Sequence, residues 1–201
     1  MNIVRFIWSM LYRMKVAVDL DGPVAEFDKS YIKYCNVRFG HDIPFDIQDK
    51  WALHETDGVN LTLEQDQLAF EEFCNIRMFA ALDLVEGAKE GLCTLSGMGC
   101  DIVYITARPK SAHRTTAKWI VKQGLPLNGL IFSEDNKGEM AKLLGCKIAI
   151  DDKEENCLDF DANGLKTIIW SKKYNSSLPE TDKMKRISNW KDIVRFISSE
   201  V

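Results

Sequence analysis

The sequence predicts an α/β fold in which a parallel β-sheet is flanked by helices. Short apolar runs with many β-branched residues alternate with longer stretches in which apolar residues recur every three to four positions, as in amphipathic helices. Strands that alternate with helices pair in parallel through right-handed crossovers, which gives a Rossmann-like core. The chain has 201 residues, of which 46% are hydrophobic, so it has room for one such core and a small insertion but not for two full domains.

The predicted core elements follow one another from residue 15 to the end of the chain. Ser111 and Asn189 can each cap the first turn of a helix, and Gly124 comes shortly after a helix ends. Residues 174–185 are polar, so we interpret them as a loop. The predicted strands cover residues 15–18, 101–106, 130–132, 147–150 and 166–170, and the predicted helices cover 24–39, 87–96, 112–123, 138–144 and 190–197.

An insertion is predicted between the first helix and the second strand. Residues 41–84 have a mixed composition and contain one helical stretch over residues 62–73. A connection between two core elements needs far fewer residues than this. We therefore assign residues 14–40 and 85–201 to the α/β core and residues 41–84 to a small insertion after the first strand and helix.

Residues 1–13 form an N-terminal extension of uncertain role. They are apolar with two arginines, too short to span a bilayer, and without a small-residue cleavage site. Because Met14 would itself make a natural start just before the first strand, the extension can be read as the product of an alternative start. The other interpretation is an interfacial amphipathic helix or a segment that docks on a partner.

The charge and the cysteines limit the class of protein. A formal net charge of −4 argues against a general nucleic-acid binder, although it leaves a small anionic substrate open. The six cysteines show no Cys-x-x-Cys spacing and mostly lie in apolar runs, which favours reduced thiols over disulfides and a cytoplasmic location.

Four carboxylates follow two of the predicted strands. Asp19 and Asp21 come directly after the first strand, and Asp151 and Asp152 come after the strand over residues 147–150. The carboxyl ends of parallel strands meet at one edge of a sheet, where open α/β folds place their sites, and carboxylates are the ligands that hard cations prefer. Taken alone, the Asp-x-Asp-Gly segment is also compatible with an ordinary turn or a calcium loop.

A hydroxyl and an ammonium group complete the pattern. Thr106 ends the second strand, and Lys137 opens a short helical run before the second aspartate pair. The order Asp-x-Asp, Thr, Lys, Asp-Asp resembles that of the haloacid dehalogenase (HAD) superfamily of phosphotransferases, over roughly residues 15–170. In that superfamily an insertion between the first two motifs forms a cap over the site, which implies a small helical cap over residues 41–84, inserted after the first strand. The opening motif is most similar to the 5′(3′)-deoxyribonucleotidase branch, with Asp19, Asp21, Gly22, Ala25, Glu26 and Phe27 in the matching places.

The sequence departs from the pattern of that branch at two positions. Pro23 stands where an aliphatic residue is usual, and Glu26 stands where aspartate is common. The second motif, residues 105–109, looks more like bacterial and phage relatives than mammalian ones.

The resemblance implies a mechanism that depends on Mg²⁺. Asp19 would be the nucleophile that forms an aspartyl-phosphate, and the Asp21 side chain would act as general acid and base. Asp19, the Asp21 carbonyl and a carboxylate of Asp151 or Asp152 would bind the metal; the sequence does not distinguish these last two. The phosphoryl oxygens would be bound by Thr106, the Ala107 amide and Lys137, with Lys142 as a less suitable rival for the lysine.

The sequence also offers candidate residues for a substrate pocket. Phe27 and Trp51 could stack on a nucleobase, or either could belong to the buried core. Arg108 could clamp the anionic substrate with its planar fork, or form a surface salt bridge. The three histidines have no metal-ligand spacing, and we interpret them as surface residues: His41, His54 and His113.

These features favour a phosphatase of nucleoside 5′-monophosphates, and the resemblance implies the deoxy series. The alternatives are a phosphatase of the same fold for another small phosphometabolite, such as a sugar phosphate, and a catalytically silent HAD-like binding protein. All six charged or hydroxyl positions of the motifs are present, which argues against the silent protein. We expect a small phosphorylated substrate as partner, no nucleic acid and no firm membrane contact, and a homodimer is left open.

Overall fold

The computed structural model describes residues 13–75 and 78–200, so the predicted extension over residues 1–13 lies outside the described part of the chain except for Arg13. A six-stranded parallel sheet forms its centre, in the order β3-β2-β1-β4-β5-β6. The strands are β1 (Lys15–Val18), β2 (Asp101–Thr106), β3 (Gly129–Phe132), β4 (Cys146–Asp151), β5 (Lys166–Trp170) and β6 (Met184–Ile187).

Helices connect the strands and cover the sheet. They are α1 (Phe27–Phe39), α2 (Leu63–Asn75), α3 (Ala88–Gly97), α4 (His113–Gln123), α5 (Lys137–Leu143), α6 (Glu154–Ala162) and α7 (Trp190–Ser198). The predicted α/β fold with a parallel Rossmann-like sheet is confirmed. None of the helices in the described ranges is long and apolar enough to cross a bilayer.

The register of the central strands brings their carboxyl ends together. Val18, the last residue of β1, pairs with Tyr104 on β2 and with Ile150 on β4. All three strands run through the core, and their inner residues are almost fully buried. The residues that follow Val18, Tyr104 and Ile150 therefore meet at one edge of the sheet.

The segment between β1 and β2 leaves the core and returns to it at one place. The backbone amide of Glu26 donates to the Asp83 carbonyl at 3.0 Å, and the amide of Val85 donates to the Val24 carbonyl at 2.9 Å. Between these points α2 packs on α1, where the Tyr34 hydroxyl donates to Glu72 at 2.7 Å. The helical layer above the sheet edge thus includes α1, and the division into core and cap stays a prediction.

Two core elements differ from the sequence-based expectation. The prediction of a loop over residues 174–185 is wrong at its end, because Met184 and Lys185 begin β6, which pairs in parallel with β5 at the edge of the sheet. The two central residues of β6, Lys185 and Arg186, are charged, so the sequence shows no apolar run there. Charged side chains are nevertheless common in strands at the edge of a sheet. The acidic helix α6 was also not predicted, since its apolar residues show little amphipathic period.

Candidate active site

Three buried carboxylates meet at the carboxyl edge of the sheet. Asp19 follows β1, Asp151 ends β4, and Asp152 comes next in the chain. One oxygen from each lies within 4.8 Å of the others, although all three residues are less than 10% exposed. Buried carboxylates this close together repel one another, so the cluster needs positive charge to be ionised.

Lys137 supplies one positive charge to this cluster. Its Nζ donates to Asp19 Oδ1 at 2.6 Å and to Asp151 Oδ2 at 2.9 Å, and its side chain is 2% exposed. Burial disfavours the ammonium ion, but the nearby carboxylates of Asp151 and Asp19 outweigh it and raise the pKa of Lys137 above its ordinary value. Lys137 is therefore a permanent cation, while Lys142 on the same helix is exposed.

One lysine does not neutralise the three carboxylates. Burial, partly offset by Lys137, raises the pKa of Asp19 to about 7. Burial and the neighbouring Asp151 likewise raise the pKa of Asp152 well above its usual range. The excess of negative charge and the all-oxygen donor set fit a hard divalent cation, which would lower both pKa values.

The two aspartates of β4 have different surroundings. Asp151 accepts hydrogen bonds from the Lys153 amide at 2.9 Å and from Asn156 Nδ2 at 3.1 and 3.2 Å, besides that from Lys137. Among the described residues, the Asp152 carboxylate has one hydrogen-bond donor, the Tyr174 hydroxyl at 2.5 Å. Sequence reasoning missed Asn156 and Tyr174, because their segments were not recognised as parts of the site.

Gly22 lets the loop after β1 pass directly over Asp152. Its φ is +100°, a conformation that side chains disfavour, and a Cβ built on it would lie 1.9 Å from Asp152 Oδ2. The glycine of the Asp-x-Asp-Gly motif is thus required by both backbone conformation and space. It brings the Asp19 and Asp152 segments into contact.

Thr106 and Ala107 lie where β2 ends, beside the carboxylate cluster. Thr106 is buried, and its Oγ1 accepts the backbone N–H of Arg108 at 3.4 Å, so its own proton is free to be donated elsewhere. Ala107 is exposed and lines the cavity above the site. Their predicted roles in phosphate binding stay predictions.

Arg108 is held inside the protein against Asp21. Its Nε and Nη2 donate to the two Asp21 oxygens at 2.9 and 2.7 Å, and its Nη1 donates to Thr116 Oγ1 at 3.2 Å. The side chain is 1% exposed, so the expected alternative of a surface salt bridge is wrong. The guanidinium group that was expected to bind the substrate is bound to Asp21 in this structure.

A cavity of about 380 Å³ opens above the carboxylates. Phe27 lies on its wall and stacks on Tyr31 with ring centroids 5.5 Å apart, so it contacts both the cavity and the aromatic core of the helical layer. Sequence reasoning missed Phe70, which is 45% exposed and also lines the cavity. The aromatic part of the wall comprises Phe27, Tyr31, Trp51, Phe70, Phe79 and Tyr174.

Trp51 lies on the cavity wall beside Tyr174 and Lys153. Its indole is 54% exposed, and it meets the Tyr174 ring edge-on with centroids 5.4 Å apart. Lys153 Nζ lies 5.2 Å from the Trp51 ring. A buried core role for Trp51 is therefore excluded, and its role as a stacking residue stays a prediction.

His54 is not a simple surface residue, contrary to the prediction from sequence. Its Nδ1 lies 2.7 Å from Asp66 Oδ2, and the Tyr31 hydroxyl donates to Asp66 Oδ1 at 2.5 Å. All three residues line the cavity. A hydrogen bond from Nδ1–H to Asp66 would leave Nε2 as the second polar atom of the ring, in a wall that combines aromatic and polar side chains.

Comparisons with known proteins agree with this architecture. The family model for the "5' nucleotidase, deoxy (Pyrimidine), cytosolic type C protein" matches residues 13–200. A nucleotidase of Clostridium acetobutylicum is 23% identical over 182 residues, which cover 90% of this chain and 92% of that protein.

Solved structures share the fold at low sequence identity. A HAD family hydrolase of Deinococcus radiodurans, with bound phosphate and sodium, has a TM-score of 0.62 and 13% identity over 92% of this chain and 95% of its own. A Bacillus subtilis protein described as a HAD hydrolase, bound to magnesium, has a TM-score of 0.62 and 14% identity over 92% and 99%.

Proposed function

Because the chain belongs to the 5′ nucleotidase, deoxy (pyrimidine), cytosolic type C family, we propose that it is a Mg²⁺-dependent phosphatase of nucleoside 5′-monophosphates. The chain is a hydrolase of the HAD superfamily, in its nucleotidase branch. The observation that carries the proposal is the buried Asp19–Lys137–Asp151 cluster at the floor of an aromatic cavity.

The metal ligands would be Asp19, the Asp21 carbonyl and Asp152. Asp152 is the better candidate of the aspartate pair, because Asp151 is already bound by Lys137, Lys153 and Asn156. Asp151 would then orient Lys137 rather than bind the ion directly. Bound Mg²⁺ supplies the positive charge that lets a carboxylate and a phosphate dianion approach each other.

The first step would transfer the phosphoryl group to Asp19. An Oδ atom of Asp19 forms a bond to phosphorus while the ester P–O bond breaks, and protonated Asp21 gives its proton to the leaving oxygen. Lys137 and the Thr106 hydroxyl would stabilise the charge on the phosphoryl oxygens. The alcohol then leaves, and Asp19 carries the phosphoryl group.

The second step would return the enzyme to its starting state. Asp21, now a carboxylate, takes a proton from a water molecule whose oxygen forms the new bond to phosphorus. The bond between phosphorus and Asp19 breaks, and inorganic phosphate leaves. Asp21 is protonated again, ready for the next substrate.

The cavity wall supports a nucleotide over a sugar phosphate. Phe27 and Phe70 present aromatic surface above the cluster, and stacking a base on an aromatic ring contributes roughly 1–3 kcal/mol. A sugar phosphate has no base to stack on these rings, and its hydroxyls need hydrogen-bonding partners because unpaired hydroxyls are costly to bury. The deoxy series, the cap over residues 41–84 and a cytoplasmic location are parts of this same proposal.

A panel of substrates tests the proposal. Nucleoside and deoxynucleoside 5′-monophosphates, sugar phosphates and an aryl phosphate are assayed for phosphate release with Mg²⁺ and with EDTA. We expect Mg²⁺-dependent hydrolysis in which nucleotides have the highest kcat/KM. Equal kcat/KM for sugar phosphates would reject the nucleotide and leave a phosphatase for another metabolite, and activity that survives EDTA would reject the metal.

A further inference from the structure

Arg108 is a buried cation with one carboxylate partner among the described residues. Its guanidinium carbon lies 4.4 Å from the Phe79 ring centroid and 5.4 Å from that of Trp119, and both rings are 1% exposed. Thr116, which is fully buried, accepts one further hydrogen bond from it. These neighbours hold the guanidinium plane in one orientation.

That orientation determines where the Asp21 carboxylate lies. A guanidinium stays charged in proteins, and a buried charge without a partner is strongly destabilising. The pair is bidentate, with two parallel bonds of 2.9 and 2.7 Å, which fixes the plane of the carboxylate as well as its distance. The Asp21 side chain, 23% exposed, is thus directed by a residue that is itself immobilised.

The contact leaves lone pairs of Asp21 open to other partners. A carboxylate offers about four lone-pair sites, of which the two bonds from Arg108 use two. The remaining sites can face a substrate or a water molecule while the pair persists. Arg108 has three of its five N–H donors engaged, two with Asp21 and one with Thr116, so its described contacts serve to orient Asp21.

We propose that Arg108 is a positioning residue that holds the Asp21 carboxylate in the orientation needed for proton transfer at the ester oxygen and the attacking water. This inference rests on the proposed function, in which Asp21 is the general acid and base. General acid and base catalysis requires the carboxylate within hydrogen-bond reach of the proton it moves. A freely rotating Asp21 side chain would reach that geometry only part of the time.

A double-mutant cycle tests the inference. The variants are Arg108→Met, Asp21→Asn and the double variant, assayed with the best nucleotide of the panel and Mg²⁺. Arg108→Met should lower kcat by at least about tenfold, up to the roughly 10²–10⁴-fold expected for loss of Asp21, with KM changed less than about threefold. In the Asp21→Asn background, the same replacement should change kcat by less than about twofold.

Three further variants separate positioning from stability. Arg114→Met removes an exposed arginine from the neighbouring helix α4 and should leave kcat unchanged. Thr116→Val removes only the third bond to Arg108 and should have a smaller effect than Arg108→Met. Arg108→Lys keeps the positive charge but cannot make two parallel hydrogen bonds to Asp21, so it should recover part of kcat. If Arg108→Met does not fold, Arg108→Lys takes its place in the cycle.

The outcomes distinguish this inference from the proposed function. An active wild-type enzyme with additive losses in the cycle would overturn the positioning role and leave the phosphatase standing. A large rise in KM at unchanged kcat for Arg108→Met would also overturn it, because Arg108 would then bind substrate. A wild-type protein that hydrolyses no phosphate ester on the panel would overturn both.

Discussion

Nζ of Lys137 lies 2.6 Å from Oδ1 of Asp19, although the two residues are 118 positions apart in the sequence. The parallel sheet makes this contact possible, because β1 and β4 are neighbours and the helix that begins at Lys137 precedes β4. The ammonium ion is buried and also bound to Asp151. It therefore offsets the charge of the predicted nucleophile at the point where a phosphate would enter.

Replacing Lys137 should abolish most of the phosphatase activity. Lys137→Met removes a fixed charge from a buried site where electrostatic stabilisation is strong, so we expect kcat to fall by roughly 10²–10³-fold. The matched control is Lys142→Met, which removes an exposed lysine from the same helix and should leave kcat unchanged. Equal activity of the two variants would show that Lys137 is only structural.

Replacing Gly22 by a larger residue should abolish activity, because there is no room for a side chain beside Asp152. In Gly22→Ala the new Cβ would collide with Asp152 Oδ2, which displaces a predicted metal ligand. Gly40→Ala is the matched control, because Gly40 also has a positive φ, +71°, but a Cβ there meets no atom within 4 Å. Both variants should unfold at a lower Tm, while only Gly22→Ala should lose Mg²⁺-dependent activity.

The stabilisation of the protein by Mg²⁺ should increase with pH. The folded-state pKa of Asp19, about 7, is raised above its ordinary value, so the folded protein binds more protons than the unfolded chain between about pH 4 and 7. The contribution of Asp19 to stability in the absence of metal therefore falls as pH rises through this window. Metal binding requires ionised carboxylates and so competes with these protons.

Thermal unfolding at pH 5 and pH 8 checks this prediction. The rise in Tm on adding Mg²⁺ should be larger at pH 8 than at pH 5. Asp152→Asn removes a predicted ligand and should reduce the rise at both pH values. A rise that is the same at pH 5 and pH 8, or that survives in Asp152→Asn, would contradict the proposed metal site.

Phe27 should matter for nucleotides more than for a small aryl phosphate. Phe27→Ala removes aromatic surface from the cavity wall, so KM for the nucleotide should rise while KM for the aryl phosphate stays within about twofold. Phe27 also packs against Phe73 and Phe79, so the Tm should fall as well. Phe45→Ala, at a phenylalanine that is 53% exposed and outside the cavity wall, is the control and should change neither KM.

The sequence predicted the fold and the polar cluster because both follow from local patterns. Asp19, Thr106 and Asp151 each end or follow a strand, and the rules of parallel sheets bring such positions together. The engagement of Arg108 with Asp21 could not be predicted, since it depends on the side-chain packing of Phe79 and Trp119.

The residues around the cavity were the least predictable part. His54, on a short 3-10 helix, meets Asp66, on α2, at a distance set by tertiary packing and without a local period. Phe70 was overlooked because an aromatic residue in an amphipathic helix normally points to the core. Local sequence motifs therefore predict the proposed catalytic residues, whereas the residues of the cavity wall are brought together by tertiary packing.

The most direct test of the account is a search for the phosphoryl group on Asp19. Enzyme and Mg²⁺ are mixed with a nucleoside monophosphate labelled in its phosphate, quenched in acid during turnover, digested and mapped. We expect a label on the peptide that contains Asp19, sensitive to hydroxylamine as an acyl phosphate and absent in Asp19→Asn, which should also be inactive. Turnover with no label on that peptide, or full activity of Asp19→Asn, would contradict an aspartyl-phosphate intermediate at Asp19.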